Sequence, residues 1–319
     1  MQQPASELRL KPIISVLMPA FNVEKYIAAA IESILNQSFV NFEFIVLDDG
    51  SSDDTVKIIN TYSDPRLKKV FLKDNKGLVS ARNTLVGMAQ GKYIAFLDSD
   101  DLANPERLEL QLQYLESNHL DLCGTDHLVL HQKSGKLKRS KQRHSDADIR
   151  AMITVCSPLC NPSVMGRAEV FKKMPYLPGN DGAEDYVMWV NLALVGCKFG
   201  NVPRNLITYR VHDNQISQIQ NAAVNHIFDE HRKKYLAAIG IESNFIPRRL
   251  HWSERLKIGT YFLIKLNKKI SGITVGANYQ IYSRFQFRDN GIWWTPLTRL
   301  ERFAVALLAS FWGQFAKSL

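Results

Sequence analysis

The chain alternates short apolar runs with stretches of helical periodicity. Ile13 to Met18, Phe42 to Leu47 and Tyr93 to Leu97 are brief runs rich in branched and aromatic residues, the pattern of buried strands, and Leu67 to Leu72 also reads as a strand. Between them, Glu24 to Leu35 repeats Ile27, Ile31 and Ile34 or Leu35 at helical spacing. Ser51-Ser52-Asp53-Asp54 opens a second helix, with Ser followed three residues later by an acid. Leu78 to Ala89, closed by Gly91, is a third, and Arg107 to Ser117 follows the fourth run. Repeated strand–helix units predict an α/β fold, a parallel sheet with helices on both faces and right-handed crossovers.

Past residue 120 the regularity breaks. Leu120 to Thr125 reads as a strand, His127 to Leu137 as a hairpin turning at Ser134-Gly135, and Asp146 to Ile153 as a short helix. Cys160-Asn161-Pro162-Ser163 and Pro178-Gly179-Asn180-Asp181-Gly182 are loop breaks. Glu184 to Val195 is a helix ended by Gly196, and Lys198 to Val202 and Leu206 to Tyr209 read as two strands before Arg210-Val211-His212.

The fourth apolar run enters Asp98-Ser99-Asp100-Asp101. Asp disfavours strands, so the strand should stop at Leu97. Ligands of open parallel sheets bind beyond the carboxyl ends of strands. Asp98 and Asp100 share a face there if the chain stays extended, and two hard oxygen donors suit Mg²⁺ or Mn²⁺. The second run also ends in acids, which puts Asp48, Asp49, Asp98 and Asp100 on one rim. The alternative is an acidic turn leading into the next helix, because Asn104-Pro105-Glu106 has the form of an N-cap followed by Pro.

Composition narrows the class. With 45% hydrophobic and 22% charged residues, the chain of 319 can bury a core. Met1 to Lys11 lacks the apolar segment of a secretory signal and reads as a flexible N-terminus, residues 1–11. No uninterrupted apolar run reaches the length of a membrane span. Cys123, Cys156, Cys160 and Cys197 show no metal-finger spacing, which suits reduced thiols in a cytoplasmic protein.

The charge is unevenly placed. Residues 221–319 hold 15 Lys+Arg against 6 Asp+Glu, a balance of +9 that equals the whole chain's. Arg248, Arg249, Arg255, Lys257, Lys265, Lys268 and Lys269 are interleaved there with Trp252, Tyr261, Phe262, Leu263 and Ile264. Further on come Trp293-Trp294 and Phe303 to Phe315, with Arg299 and Arg302 just before. A cationic face beside apolar residues suits an anionic membrane surface, giving peripheral attachment to the inner face of the cell membrane. The alternative is a helical subdomain or an oligomer contact. A nucleic-acid partner is not expected, since the charge comes without a recognised module.

Six motifs now stand in order: Pro19-Ala20-Phe21-Asn22; Leu47-Asp48-Asp49-Gly50-Ser51; Gly77 with Ala81-Arg82-Asn83; Asp98-Ser99-Asp100-Asp101; Glu184-Asp185 with Trp189; and Tyr209-Arg210-Val211-His212. In this the chain resembles the family 2 glycosyltransferases of GT-A fold, over residues 12–220, with residues 221–319 as a C-terminal helical, basic appendage outside the resemblance. The resemblance implies a Rossmann-like, mostly parallel sheet flanked by helices. It implies a hexosyltransferase of bacterial polysaccharide type, metal-dependent and inverting, moving a sugar from a UDP-sugar to a hydroxyl of a glycan or lipid-linked acceptor.

The resemblance also assigns roles. Pro19, Ala20, Phe21 and Asn22 would line the uracil, and Asp49 would accept a hydrogen bond from its N3–H. Arg82 would lie near the nucleotide, or else be a surface cation on its helix. Asp100 would coordinate Mn²⁺ or Mg²⁺ directly, with Asp98 at the ribose or reaching the ion through water, and Ser99 beside the nucleotide. His212 would contact the metal or the diphosphate, or be structural. Asp185 would be the general base, with Glu184 as the alternative, and Asn161-Pro162-Ser163 would line the acceptor side. One rival, a sugar-phosphate nucleotidylyltransferase, needs a Gly-rich loop with a basic residue after the first strand, and Pro19 to Asn22 has no glycine. The other, a non-catalytic nucleotide-sugar-binding or membrane scaffold protein, would not need both the Asp-x-Asp and the Glu-Asp pair.

Overall fold

A computed structural model describes residues 11–213, 215, 222–241, 252–285 and 299–315, without the side chains of 252–258, 284–285, 299–301 and 311–315. The expectations for residues 1–10, Arg248, Arg249 and Trp293-Trp294 lie outside the described residues, as do those for the side chains of Trp252, Arg255, Lys257 and Arg299.

The first half follows the sequence pattern. Strands β1 (Ile14–Ala20), β2 (Phe42–Asp48), β3 (Leu67–Phe71) and β4 (Tyr93–Phe96) alternate with helices α1 (Ile27–Leu35), α2 (Thr55–Asn60) and α3 (Leu78–Met88). These strands pair in parallel in the order β3-β2-β1-β4. β1, β2 and β4 are buried on both faces, as a helix-covered parallel sheet requires, while β3 at the edge is partly exposed. Val16 and Met18 face α1 and its Ile27, Ile31 and Ile34. Leu17, one residue out of phase, faces the opposite layer with Val79 and Leu85 of α3.

The second half adds strands of both directions. β5 (Leu102–Ala103) and α4 (Arg107–Ser117) precede β6 (Leu122–His131), which turns back into β7 (Lys136–Ser140). After α5 (Asp146–Ile153) and a 3₁₀ turn (Asn161–Ser163), β8 (Met165–Arg167) pairs antiparallel with both β4 and β6. Helices α6 (Ala168–Lys173) and α7 (Glu184–Leu194) lead to β9 (Phe199–Val211), parallel to β6 and antiparallel to β5. The mixed α/β sheet reads β3-β2-β1-β4-β8-β6-β9-β5, with β7 on β6.

Three local expectations need correction. The first run does not stop at Met18: β1 continues through Pro19 to Ala20, in register with Asp48. The proline is tolerated because β4 covers β1 only from Ile14 to Leu17, so no β4 partner requires its missing N–H. The two strands expected around Pro203 are one, β9, in which the pairing skips from Val202 to Asn205; a register shift of this kind accommodates a proline. The chain does not stay extended through Asp98–Asp100. It turns at Ser99-Asp100, and the Asp101 N–H donates to the Asp98 carbonyl at 3.1 Å.

Beyond β9, helices α8 (Ala222–Ala238), α9 (Trp252–Lys269), α10 (Val275–Phe285) and α11 (Arg299–Phe315) form a third apolar cluster with Met152 and Val155 at the end of α5. Asp148 of α5 anchors this region by accepting from both the N–H and the hydroxyl of Thr274, each at 2.7 Å.

Candidate active site

Strand order reverses between β1 and β4, because β2 lies on one side of β1 and β4 on the other. Chains leaving such neighbouring strands diverge and open a crevice at their carboxyl ends. A cavity of about 1000 Å³ lies there. The residues nominated for the nucleotide, the metal and the base line it: Pro19 to Asn22, Asp49, Arg82, Asp98 to Asp100, Glu184, Asp185 and His212; on the expected acceptor side Asn161 and Pro162 line it, but Ser163 is buried away from it. Asp48 does not reach it. Its buried carboxylate instead accepts from the Ser51 N–H at 3.0 Å and closes the turn after β2.

At one end, Phe21 is 45% exposed at the cavity wall, an aromatic face available for stacking. Asn22 takes a left-handed conformation (φ 50°) and accepts from the Ser52 N–H at 2.9 Å, locking this loop onto the start of α2. Asp49 accepts from the Lys76 and Gly77 N–H groups, each at 2.9 Å, which pins the loop before α3. Each oxygen of a carboxylate accepts more than one bond, so Asp49 retains capacity toward a ligand. Gly50 is the hinge of this turn. Its φ is +76°, and a Cβ there would lie 2.8 Å from backbone atoms of Asp74 and Asn75. Gly50→Ala is therefore expected to destabilise the protein by at least the ~1–3 kcal/mol of a left-handed non-glycine residue, read as a lower urea midpoint.

Under the centre of the cavity runs a chain of charges. Arg82 is 4% exposed, not a surface cation. One arm of its guanidinium donates to Glu184 Oε1, and the other reaches Asp98 Oδ1 at 3.2 Å. Burial alone would weaken its hold on the proton, but Asp98 and Glu184 outweigh that and keep it charged. Burial pushes Asp98 up, against the pull of Arg82. The second Glu184 oxygen accepts from the Gly182 N–H at 2.7 Å, so both its oxygens are held.

Asp185 is one residue on and differently placed. It accepts from its neighbour's N–H, Tyr186, at 2.6 Å and from the Ser157 hydroxyl at 3.2 Å, and among the described residues no cation pairs with it. Burial and the adjacent Glu184 charge raise its pKa to about 6. A cavity-facing carboxyl poised near neutrality suits proton transfer.

At the other side of the Asp98–Asp101 turn, Asp100 Oδ2 lies 2.9 Å from His212 Nε2. The His212 ring stacks on Tyr26 with centroids 4.7 Å apart, and Arg210 donates to the Asp100 carbonyl at 3.1 Å. Two adjacent ligands on a small octahedral ion are about 3 Å apart, so this pair fits a Mg²⁺ or Mn²⁺ that keeps positions open for phosphate oxygens and water. Among the described residues, no group of three or more His, Cys, Asp or Glu is placed to hold a metal by itself.

Sequence reasoning missed the layer beneath. Asp101 is fully buried, accepts from the Arg210 N–H at 2.8 Å and is pushed well up by burial and by Asp100 and Asp98. Arg107, also fully buried, donates to the Phe96 carbonyl at 2.7 Å; burial lowers its pKa to about 10. It thereby fixes the end of β4 from below. A cation in the first turn of a helix opposes the helix dipole, and that oddity in the sequence could have flagged Arg107.

The family described as Glycosyl transferase family 2 matches residues 15–174. An uncharacterized glycosyltransferase of Haemophilus influenzae is 33% identical over 252 residues, 74% of this chain and 78% of its own. The UDP-Glc:alpha-D-GlcNAc-diphosphoundecaprenol beta-1,3-glucosyltransferase WfaP of Escherichia coli is 32% identical over 210 residues, 66% of this chain and 80% of its own. The crystal structure of S. aureus TarS 1–349 in complex with UDP-GlcNAc superposes with a TM-score of 0.59 at 16% identity, covering 96% of this chain and 92% of TarS.

Proposed function

This chain belongs to glycosyl transferase family 2 and is a glycosyltransferase of GT-A fold, and from that premise we propose that it moves a sugar from a UDP-sugar to a hydroxyl of a lipid-linked glycan, with inversion at the sugar carbon. The observation that carries the reading is the unlike treatment of two adjacent acids. Glu184 is locked on Arg82, while Asp185 faces the cavity with a pKa of about 6. A carboxyl raised toward neutrality beside one tied to a cation suits a division between base and positioning group.

In this reading Phe21 stacks on the base and Asp49 accepts from its N–H edge. Asp100 and His212 hold Mn²⁺ or Mg²⁺, which when bound offsets the charge of the diphosphate leaving group. Asp98, tied to Arg82, borders the ribose. Asp185 takes the proton of the acceptor hydroxyl as that oxygen attacks the sugar C1. The C1–O bond to the diphosphate breaks, and its electron pair leaves with UDP. A hydroxyl is too weak an acid to ionise beforehand, so proton removal accompanies attack. Direct displacement from the face opposite the leaving group inverts the configuration. The UDP-Glc donor and diphosphoundecaprenol acceptor in the name of WfaP, and the UDP-GlcNAc and UDP complexes of TarS, support the choice of donor and acceptor class.

Calorimetry of UDP binding tests the nucleotide and metal roles. UDP is expected to bind in Mn²⁺, to weaken on addition of EDTA, and to weaken about tenfold or more in Asp100→Ala. Binding indifferent to both EDTA and the substitution would remove the metal assignment.

A further inference from the structure

Helix α11 is apolar on both sides. Val305 and Ala309 are buried in the cluster it shares with α9 and α10, and Ala306 is fully buried as well. Phe303, Leu307 and Leu308 are 55%, 49% and 52% exposed. At about 100° per residue the two sets fall on opposite faces. A surface helix ordinarily turns its polar residues to water. Here the small residues pack inward and the large apolar ones point out, with exposed Ala304 between them. The adjacent helix α9 has Tyr261, Lys265 and Lys268 at four- and three-residue spacing, on one face. Tyr261, Lys268 and Lys269 are exposed, and the Lys265 ammonium lies 4.6 Å from the Tyr261 ring centre.

We propose that the α9–α11 region docks flat on an anionic lipid bilayer. Phe303, Leu307 and Leu308 enter the headgroup–acyl boundary, and the α9 lysines meet the phosphates. Charge selects this occupant. Residues 221–319 carry the chain's whole excess of +9. A second copy would present the same positive charge, whereas an anionic surface complements it. Among the described residues no helix is long and apolar enough to cross a membrane, so the attachment is lateral. The inference rests on the lipid-linked acceptor proposed above only for its purpose, which is to bring the cavity to a substrate confined to a surface.

The test is co-sedimentation of the full chain with vesicles of phosphatidylcholine, alone or mixed with phosphatidylglycerol. The chain is expected to bind the mixed vesicles, to bind the neutral ones at least tenfold less, and to be released by high salt. The triple variant Phe303→Ser, Leu307→Ser, Leu308→Ser is expected to bind the mixed vesicles at least tenfold less. Lys268→Glu with Lys269→Glu should do the same. Size-exclusion chromatography with light scattering and circular dichroism accompany each variant to establish that it is folded. The proposal is overturned if the wild type ignores anionic vesicles, if folded triple variant binds them equally, or if the substitutions only convert a dimer to a monomer. UDP calorimetry on the same samples separates the two readings. Vesicle binding without UDP binding would sink the nucleotide site and leave the docking surface standing, and the reverse result would do the opposite.

Discussion

Asp185→Asn is expected to lower kcat/KM for transfer by about 10²–10⁴-fold, the usual contribution of a general base, while UDP affinity stays near that of the wild type. The amide keeps the size of the side chain; its oxygen can still accept from the Tyr186 N–H and its NH2 can donate to the Ser157 hydroxyl oxygen, but it cannot take a proton. The pH profile supplies an independent readout. Burial and the Glu184 charge raise the Asp185 pKa to about 6, and the base must be ionised to act. The wild-type kcat/KM should therefore rise with pH through about 6, falling about tenfold per unit on the acid side. In Asp185→Asn that limb should vanish from the residual rate. A variant retaining both the rate and the acid limb would show that another group is the base. Glu184→Gln should behave differently, because Glu184 is bound to Arg82 and Gly182; its main effect should be on stability.

Arg82→Ala is expected to be the most destabilising single change at the site. It strands the buried Glu184 and the partly exposed Asp98 beside one another without their shared cation. Breaking a buried ion pair from one side costs about 3–5 kcal/mol, and the partial exposure of Asp98 puts the expected loss near the lower end. Urea unfolding would measure it. Acid should relieve part of the defect, because protonating the stranded carboxylates removes their repulsion. The difference in stability between wild type and variant should thus shrink as pH falls below the carboxylate range. Arg82→Lys should fall between the two, since an ammonium keeps the charge but lacks the forked guanidinium that reaches both acids. An Arg82→Ala protein as stable as the wild type would mean that the two carboxylates do not depend on this cation.

Much of this was legible along the chain. The runs at 14–20, 42–48 and 93–96 are the buried strands β1, β2 and β4, and 67–71 is the partly exposed edge strand β3, because two-residue and 3.6-residue periodicities record which faces are buried. Phe21, Asn22, Asp49 and Asp98 to Asp100 follow those strands, a position the sequence itself declares, whereas Arg82, Glu184, Asp185 and His212 were nominated through the family resemblance. The basic character of residues 221–319 was equally open to a simple count.

What the sequence could not resolve depended on residues far apart. Glu184 and Asp185 are adjacent and chemically alike; they differ because Arg82, 102 residues earlier, closes on one of them and burial lifts the other. Asp100 acquires its partner from 112 residues later, when β9 brings His212 against the β4 turn. The turn at Ser99-Asp100, the single long β9 and the buried Arg107 beneath β4 likewise follow from strand pairing across the sheet. Helix α11 reads as apolar from Phe303 to Ala309, and only its packing on α9 and α10 leaves Phe303, Leu307 and Leu308 outside. Periodicity is written locally because it reflects the repeat of the backbone. The charge state and reach of a side chain depend on the solvent and neighbours around it, and those are assembled only when the chain has folded.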